Sequence, residues 1–261
     1  MGTKTFDPKF IFKETQYDVG QSFKGFPYQE TKFIAEGLVR KAKEDGLVWN
    51  IFRPGQIFGE SQEGRYPLGG QTNVGGLFYD IFRSNLMSQS CMDTPWKFDV
   101  TPVNYVAKAL IYLGLKEGST FNTYHLTNPH IQSYSKTINL FCKLGYNINF
   151  YPVEEYFERL STNQMKYHGR TYRSPTLKTF MAWRRGGMFN FMDSAVTDSS
   201  LAQSKLIPAG IKCPKIDENL IETYLNYGLK IGFFPTPEDI NTEDDALTLS
   251  ASRKRQPSAA I

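Results

Sequence analysis

Tyr28 and Lys32 stand four residues apart in the run Y-Q-E-T-K. On a helix that spacing places both side chains on one face, able to point into the same cleft. A phenol so placed can act as a general acid toward a carbonyl that accepts a hydride. A free tyrosine titrates at about 10, too high for ready proton exchange at neutral pH, and a neighbouring ammonium stabilises its phenolate. The spacing alone is weak, because the sequence holds 15 tyrosines and repeats the pattern at Tyr112 and Lys116. What sets the first pair apart is the apolar run L-V-W-N-I-F that follows at 47–52, closed by Arg53-Pro54-Gly55. That order reads as a helix feeding a buried strand that ends in a turn.

The elements around the pair follow from local signals. Pro27 suits the first turn of a helix over 27–45, and Gly46 is placed to end it. Residues 1–26 read as irregular. Helices are expected at 75–88, at 102–115 with Thr101 as cap, at 133–144, at 154–160 and at 218–231. Asp198 is expected to cap a further short helix. Strands are expected at 123–127 and 148–152, with a short extended piece at 97–100. The segment 162–190 is expected to be helical in part, and the chain from about Asp239 to be disordered. Alternating strands and helices point to an α/β architecture with some parallel sheet. A doubly wound nucleotide fold opens with a strand, a glycine-rich turn and a helix that holds the pyrophosphate. Neither G-x-G-x-x-G nor G-x-x-G-x-x-G occurs in the sequence, so a partial Rossmann-type core is expected, without its N-terminal nucleotide-binding strands.

Hydrophobic residues at 40% and charged residues at 21% give an ordinary globular balance, and aromatics at 15% favour Phe- and Tyr-rich cores. The net charge of +4 has one dense cluster, Arg253, Lys254 and Arg255, which reads as a solvated end rather than a nucleic-acid site. Cys91, Cys142 and Cys213 lack metal-ligand spacing, so no metal and no disulfide framework is expected. The N-terminus lacks the apolar core of a signal peptide, and no apolar stretch is long enough to cross a bilayer. A soluble, cytoplasmic protein with no nucleic-acid or membrane partner is expected.

The run Y-Q-E-T-K-F-I-A-E-G-L-V (28–39) and I-F-R-P-G-Q-I-F-G-E-S (51–61) resemble the middle of the extended short-chain dehydrogenase/reductases. F-D-V-T-P-V-N-Y-V-A (98–107), Y-H-L-T-N-P-H (124–130) and A-G-I-K-C-P-K-I-D-E-N-L-I-E-T-Y-L-N-Y (209–227) narrow the resemblance. They are similar to thioester reductase domains, the terminal reductases of non-ribosomal peptide and polyketide synthetases, of aminoadipate reductase and of carboxylic acid reductases. The resemblance covers roughly residues 1–237. Fatty acyl-CoA reductases are a related second family.

The resemblance implies NADPH-dependent reduction of an acyl thioester held on the phosphopantetheine arm of a carrier protein, giving an aldehyde or an alcohol. It implies that Tyr28 protonates the developing alkoxide and that Lys32 tunes it and holds the nicotinamide ribose. Thr3 becomes the candidate for the hydroxyl that binds the carbonyl oxygen, a disordered terminal residue being the other reading. Pro54, Gly55, Gln56 and Ile57 fall where the family's backbone passes the nicotinamide carboxamide. Residues 1–120 would form the C-terminal part of the reductase core, 121–238 a smaller subdomain facing substrate and carrier, and 239–261 a disordered tail, with elements free to interleave. Lys166, Arg170, Arg173, Lys178, Arg184 and Arg185 could meet an acidic carrier helix, a solvated charged face being the plainer reading. His125 reads as structural. The glycine-rich loop would lie in a Rossmann half upstream of Met1 or on another chain. A non-catalytic module that docks a carrier or partner chain, and an extended dehydrogenase acting on nucleotide sugars or steroids, remain alternatives.

Overall fold

The computed structural model describes residues 10–24, 26–68, 76–118, 121–162, 165–167, 170–172, 176–185 and 196–240. The first helix, α1 (Pro27–Lys41), begins where proline costs no internal hydrogen bond, with Glu30 in its first turn and Arg40 and Lys41 in its last. Beyond it the backbone reverses at Gly46, whose φ of +83° suits a residue without Cβ, and the Leu47 amide donates to Ala42 O at 3.0 Å. The chain then enters β2 (Ile51–Pro54), which runs parallel to β7 (Thr123–Leu126), from Ile51 opposite Thr123 to Pro54 opposite Leu126.

The remaining strands are short. Strand β1 (Ile11–Phe12) pairs in parallel with β12 (Val196–Thr197), β3 (Ile57–Phe58) with β6 (Thr101–Pro102), and β4 (Ser90–Met92) with β9 (Asn149–Tyr151). Antiparallel pairs join β5 (Lys97–Phe98) to β8 (Gln132–Ser133) and β10 (Met165–Tyr167) to β11 (Arg170–Tyr172). Between them lie α2 (Leu77–Ser88), α3 (Val103–Ile111), α4 (Tyr134–Lys143), α5 (Val153–Thr162), α6 (Leu177–Arg185), α7 (Ser200–Leu206) and α8 (Glu218–Lys230). Ser133 and Asp217 cap α4 and α8 by accepting from the amides of Lys136 and Leu220. The architecture is mixed α/β.

Two apolar cores hold these elements. The larger joins α2, α4 and α8 through Phe58, Tyr79, Phe82, Phe98, Phe141 and Tyr224. The smaller packs α3 and β7 on α7 through Tyr105, Ala109, Tyr124, Leu126, Ala202 and Leu206. Helix α1 belongs to neither, and none of its 15 residues is buried. Its apolar Ile34, Leu38 and Val39 are exposed.

Several expectations change in detail. The N-terminal segment is not wholly irregular, since Ile11 and Phe12 form a strand that only a partner some 185 residues away reveals. The apolar run 47–52 is not a buried strand throughout: Leu47 and Val48 are exposed, and pairing with β7 starts at Ile51. Trp49 is the buried anchor there, edge-on to Phe121 with centroids 5.5 Å apart. Thr101 does not cap α3, because it lies in β6 with its hydroxyl donated to Asp99, and Pro102 occupies the cap position. Tyr112 and Lys116 sit on a π-helical turn that ends α3. At the start of the expected tail, the Asp239 amide donates to Thr236 Oγ1 and its carboxylate accepts from the Thr236 amide, and residues 241–261 lie outside the described ones. Thr3, Arg173, His168, Gly186, Gly187 and the basic cluster at 253–255 lie outside the described residues.

Candidate functional site

A cleft of about 770 Å³ opens beside α1 and the end of β2. Tyr28 and Lys32 line it from α1, and Pro54, Gly55 and Gln56 line it from the turn after β2. The helical spacing does place the pair together: Lys32 Nζ lies 5.5 Å from the Tyr28 ring centroid. Tyr28 is 69% exposed, so its hydroxyl is open to a ligand entering the cleft. Ile57 is not on the wall; it pairs opposite Thr101 and packs against the smaller core. Thr3 falls outside the described residues.

The face that carries Tyr28 and Lys32 continues to Glu36 and Arg40, each four residues further along α1. Arg53 on β2 donates to Glu36 through Nε at 2.9 Å and Nη2 at 2.6 Å, and Nη2 also donates to Gln16 O at 2.8 Å. Arg40 donates to the same carboxylate at 2.9 Å and to Thr123 Oγ1 at 2.7 Å. Burial opposes the charge on Glu36, but the hydrogen bonds and charges of Arg53 and then Arg40 prevail, holding the carboxyl below its usual range. Helix α1 is therefore tied to the sheet by ions and hydrogen bonds, and to the N-terminal segment by Phe33 stacked on Tyr17 with centroids 4.3 Å apart.

His125 lies on the floor of the cleft, in β7, stacked on Phe12 with centroids 5.3 Å apart. Its Nδ1 faces the Asp198 carbonyl at 2.6 Å, so Nδ1 carries the proton and Nε2 accepts from Arg53 Nη1 at 3.0 Å. Burial, with the adjacent Arg53 charge, outweighs the Asp198 bond and pushes its pKa down to about 4. The ring is neutral near pH 7 and serves as a fixed acceptor for Arg53. Beneath it Glu14 is buried and accepts from the amides of His125, Leu201 and Ala202 at 2.7–3.1 Å. Burial raises its pKa against those three bonds.

Asp99 is the second acidic group on the cleft wall. Its carboxylate accepts from the Asn128 amide at 3.0 Å, from the Gln56 amide at 3.3 Å and from the Thr101 hydroxyl. Burial pushes its pKa up to about 6, against the lowering effect of those donors. Gly55 packs so close to it that a Cβ at that position would overlap Asp99 Oδ2. The side-chain oxygen of Gln56 is buried without a hydrogen-bond partner among the described residues. Sequence reasoning missed Glu36, Arg53 as an ion-pair partner, and Asp99. Only Glu36 left a local signal, by extending the Tyr28–Lys32 spacing one more turn. No group of three or more His, Cys, Asp or Glu among the described residues could hold a metal ion, and no described helix is long and apolar enough to cross a membrane.

Comparison with known proteins gives this arrangement a context. A profile of an NAD-binding family described as male sterility protein matches residues 5–110, the span that holds Tyr28, Lys32 and the Arg53-Pro54-Gly55 turn. The isonitrile lipopeptide synthase of Streptomyces coeruleorubidus is 25% identical over 227 residues, 81% of this chain and 14% of that protein. The terminal R domain from the myxalamid PKS-NRPS biosynthetic pathway superposes with a TM-score of 0.68 at 26% identity, covering 88% of this chain and 56% of that one. A thiolation-reductase di-domain from an archaeal non-ribosomal peptide synthetase shares the fold with a TM-score of 0.68 at 20% identity, over 87% of this chain and 45% of that one. The chain thus spans a small part of the curated relative and about half of each solved structure. In sequence and in fold it resembles the terminal reductase domains of peptide and polyketide synthetases, of the extended short-chain dehydrogenase/reductase type.

Proposed function

We propose that the cleft is the catalytic side of a thioester reductase site, in which Tyr28 and Lys32 complete the reduction of a carrier-bound acyl group. The observation that carries this reading is the convergence of Tyr28, Lys32 and the Pro54–Gln56 turn on one cleft, within the span matched by an NAD-binding family. NADPH, when bound, supplies the hydride. Tyr28 Oη donates its proton to the former carbonyl oxygen, and the Lys32 ammonium beside the ring stabilises the phenolate left behind. Collapse of the protonated adduct expels the pantetheine thiol and leaves an aldehyde, and a second hydride would give the alcohol. Gly55 and Gln56 line the cleft where the nicotinamide end of the cofactor would lie, and the buried Gln56 side-chain oxygen lacks a donor among the described residues.

In this reading residues 1–120 are the C-terminal part of a Rossmann-type core and 121–238 the subdomain that shapes the acyl pocket. The nucleotide-binding half would pack on the face of α1 where Ile34, Leu38 and Val39 stand exposed. The partner would be a phosphopantetheinyl carrier protein, as the likeness to a thiolation-reductase di-domain suggests. Lys178 and Arg185, exposed on α6, are candidates for its acidic surface, and Lys166 and Arg170 lie on the preceding hairpin.

NADPH fluorescence titration tests the reading on the chain itself. Binding that Tyr28→Phe preserves and Gly55→Ala abolishes supports a working cofactor site. Absence of binding at millimolar NADPH would overturn self-sufficient reduction and favour a docking module, or a site completed by a nucleotide-binding half held elsewhere.

A further inference from the structure

We propose that Asp99 is a positioning residue that sets the Pro54–Gln56 turn on the wall of the cleft. Three observations meet there. The Asp99 carboxylate accepts from the Gln56 amide, the Asn128 amide and the Thr101 hydroxyl, which ties the turn after β2 to β6 and to the segment after β7. The close approach of Gly55 to Asp99 Oδ2 leaves no room for a side chain, so the turn lies directly on the carboxylate. Gln56 lines the cleft while its side-chain oxygen is buried with no hydrogen-bond partner among the described residues, so the Asp99 bond to its amide is what fixes the residue at the cleft wall.

The hold on Gln56 depends on charge. An ionised Asp99 accepts from all three donors, whereas a protonated carboxyl is a weaker acceptor and loosens its hold on the Gln56 N–H. Burial pushes the Asp99 pKa up to about 6, so the switch falls in an accessible range. The groups facing Asp99 from packed elements are the Tyr105 phenol, pushed up to about 12, and the Cys213 thiol, pushed up by burial. Both stay neutral through that range. Across the cleft Lys32, Arg53, Glu36 and Lys97 carry charge, and His125 titrates at about 4.

The identity of the ligand rests on the proposed function, but the positioning role is tested without it. In the ¹⁵N-labelled full chain the Gln56 and Asn128 amide shifts should move together with a midpoint of about 6, and Asp99→Asn should abolish the inflection. Thr101→Val keeps the carboxylate but removes one donor, so it should shift the midpoint upward even if Asp99→Asn fails to fold. A Gln56 amide with no inflection within about one pH unit of that midpoint, or one unchanged in Thr101→Val, would overturn the proposal. Nicotinamide mononucleotide titrated at both ends of that range separates the two readings. Weaker binding at the acid end, lost as a pH effect in Asp99→Asn, supports both. Absence of binding with the amide inflection intact sinks only the cofactor reading.

Discussion

The Arg53 guanidinium meets the Glu36 carboxylate as a fork, through Nε at 2.9 Å and Nη2 at 2.6 Å. The two side chains come from β2 and α1, the elements that carry the Pro54–Gln56 turn and the Tyr28–Lys32 pair. Because α1 buries none of its residues, this fork, together with the stacking of Phe33 on Tyr17, stands in for a buried apolar face.

Removing the fork should therefore loosen the helix. Glu36→Gln leaves Arg53 without its charged partner. The side chains keep 15% and 17% exposure, so the loss should match a hydrogen bond to a charged group, about 1.5–3 kcal/mol. A fully buried pair would cost more, about 3–5 kcal/mol. The Glu36 carboxyl is held below its usual value, so its stabilisation is present above the ordinary glutamate pKa of 4.5 and fades as pH falls through the lowered one. Urea unfolding at pH 7 and in acid measures both, and the two proteins should converge in acid.

His125 predicts a second acid-side loss. Its folded pKa of about 4 lies below the ordinary histidine value of 6.5, so the native state favours the neutral ring. The linked stability is full above the unfolded value and is lost as pH falls from 6.5 through about 4. Fully developed it amounts to roughly 3 kcal/mol. His125→Gln should flatten that part of the stability–pH curve, and a curve as steep as wild type would contradict the assignment.

Gly55→Ala should be costly for a position next to a cleft. The added methyl meets Asp99 Oδ2, and three hydrogen bonds keep the carboxylate from yielding. A destabilisation of about 1–3 kcal/mol is expected from such overpacking, with displacement of the Gln56 amide resonance. Gly46→Ala gives a useful contrast, because nothing lies near that position and only its φ of +83° resists the change.

Tyr28→Phe should separate chemistry from stability. At 69% exposure, removal of the hydroxyl should change unfolding free energy by no more than about 0.5 kcal/mol. In the proposed function, where Tyr28 gives up the proton, its loss should lower turnover by about 10²-fold or more. Denaturation and turnover measured on the same preparation check the split.

Much of the frame was legible locally. Pro27 and Gly46 bracket the α1 region, the helices expected over 133–144 and 218–231 appear as α4 and α8, and the apolar run before Arg53-Pro54-Gly55 leads into β2. The parts that stayed hidden depend on distant contacts. Ile11 and Phe12 become a strand only beside Val196 and Thr197. Asp99 reaches Gln56 and Asn128 across 43 and 29 residues, and no periodicity records such a meeting. Leu47 and Val48 mislead for a physical reason, since apolar character gives a preference for burial but not a partner to supply it. On the cleft, the four-residue spacing foretold that Tyr28 and Lys32 share one face of α1, and the same count carried one turn further reaches Glu36.

Whether Tyr28 completes reduction of a carrier-bound thioester in this cleft is decided by single-turnover reduction of an acyl-carrier thioester with NADPH. Nucleotide oxidation and aldehyde or alcohol release are followed together. The reaction is run on the chain joined to the nucleotide-binding half of a solved relative, wild type beside Tyr28→Phe. Product matched to NADPH consumed is expected in the wild type, with a rate lower by at least about 10²-fold in Tyr28→Phe. Equal rates in the two proteins, or NADPH bound with no product from either, would contradict the assignment.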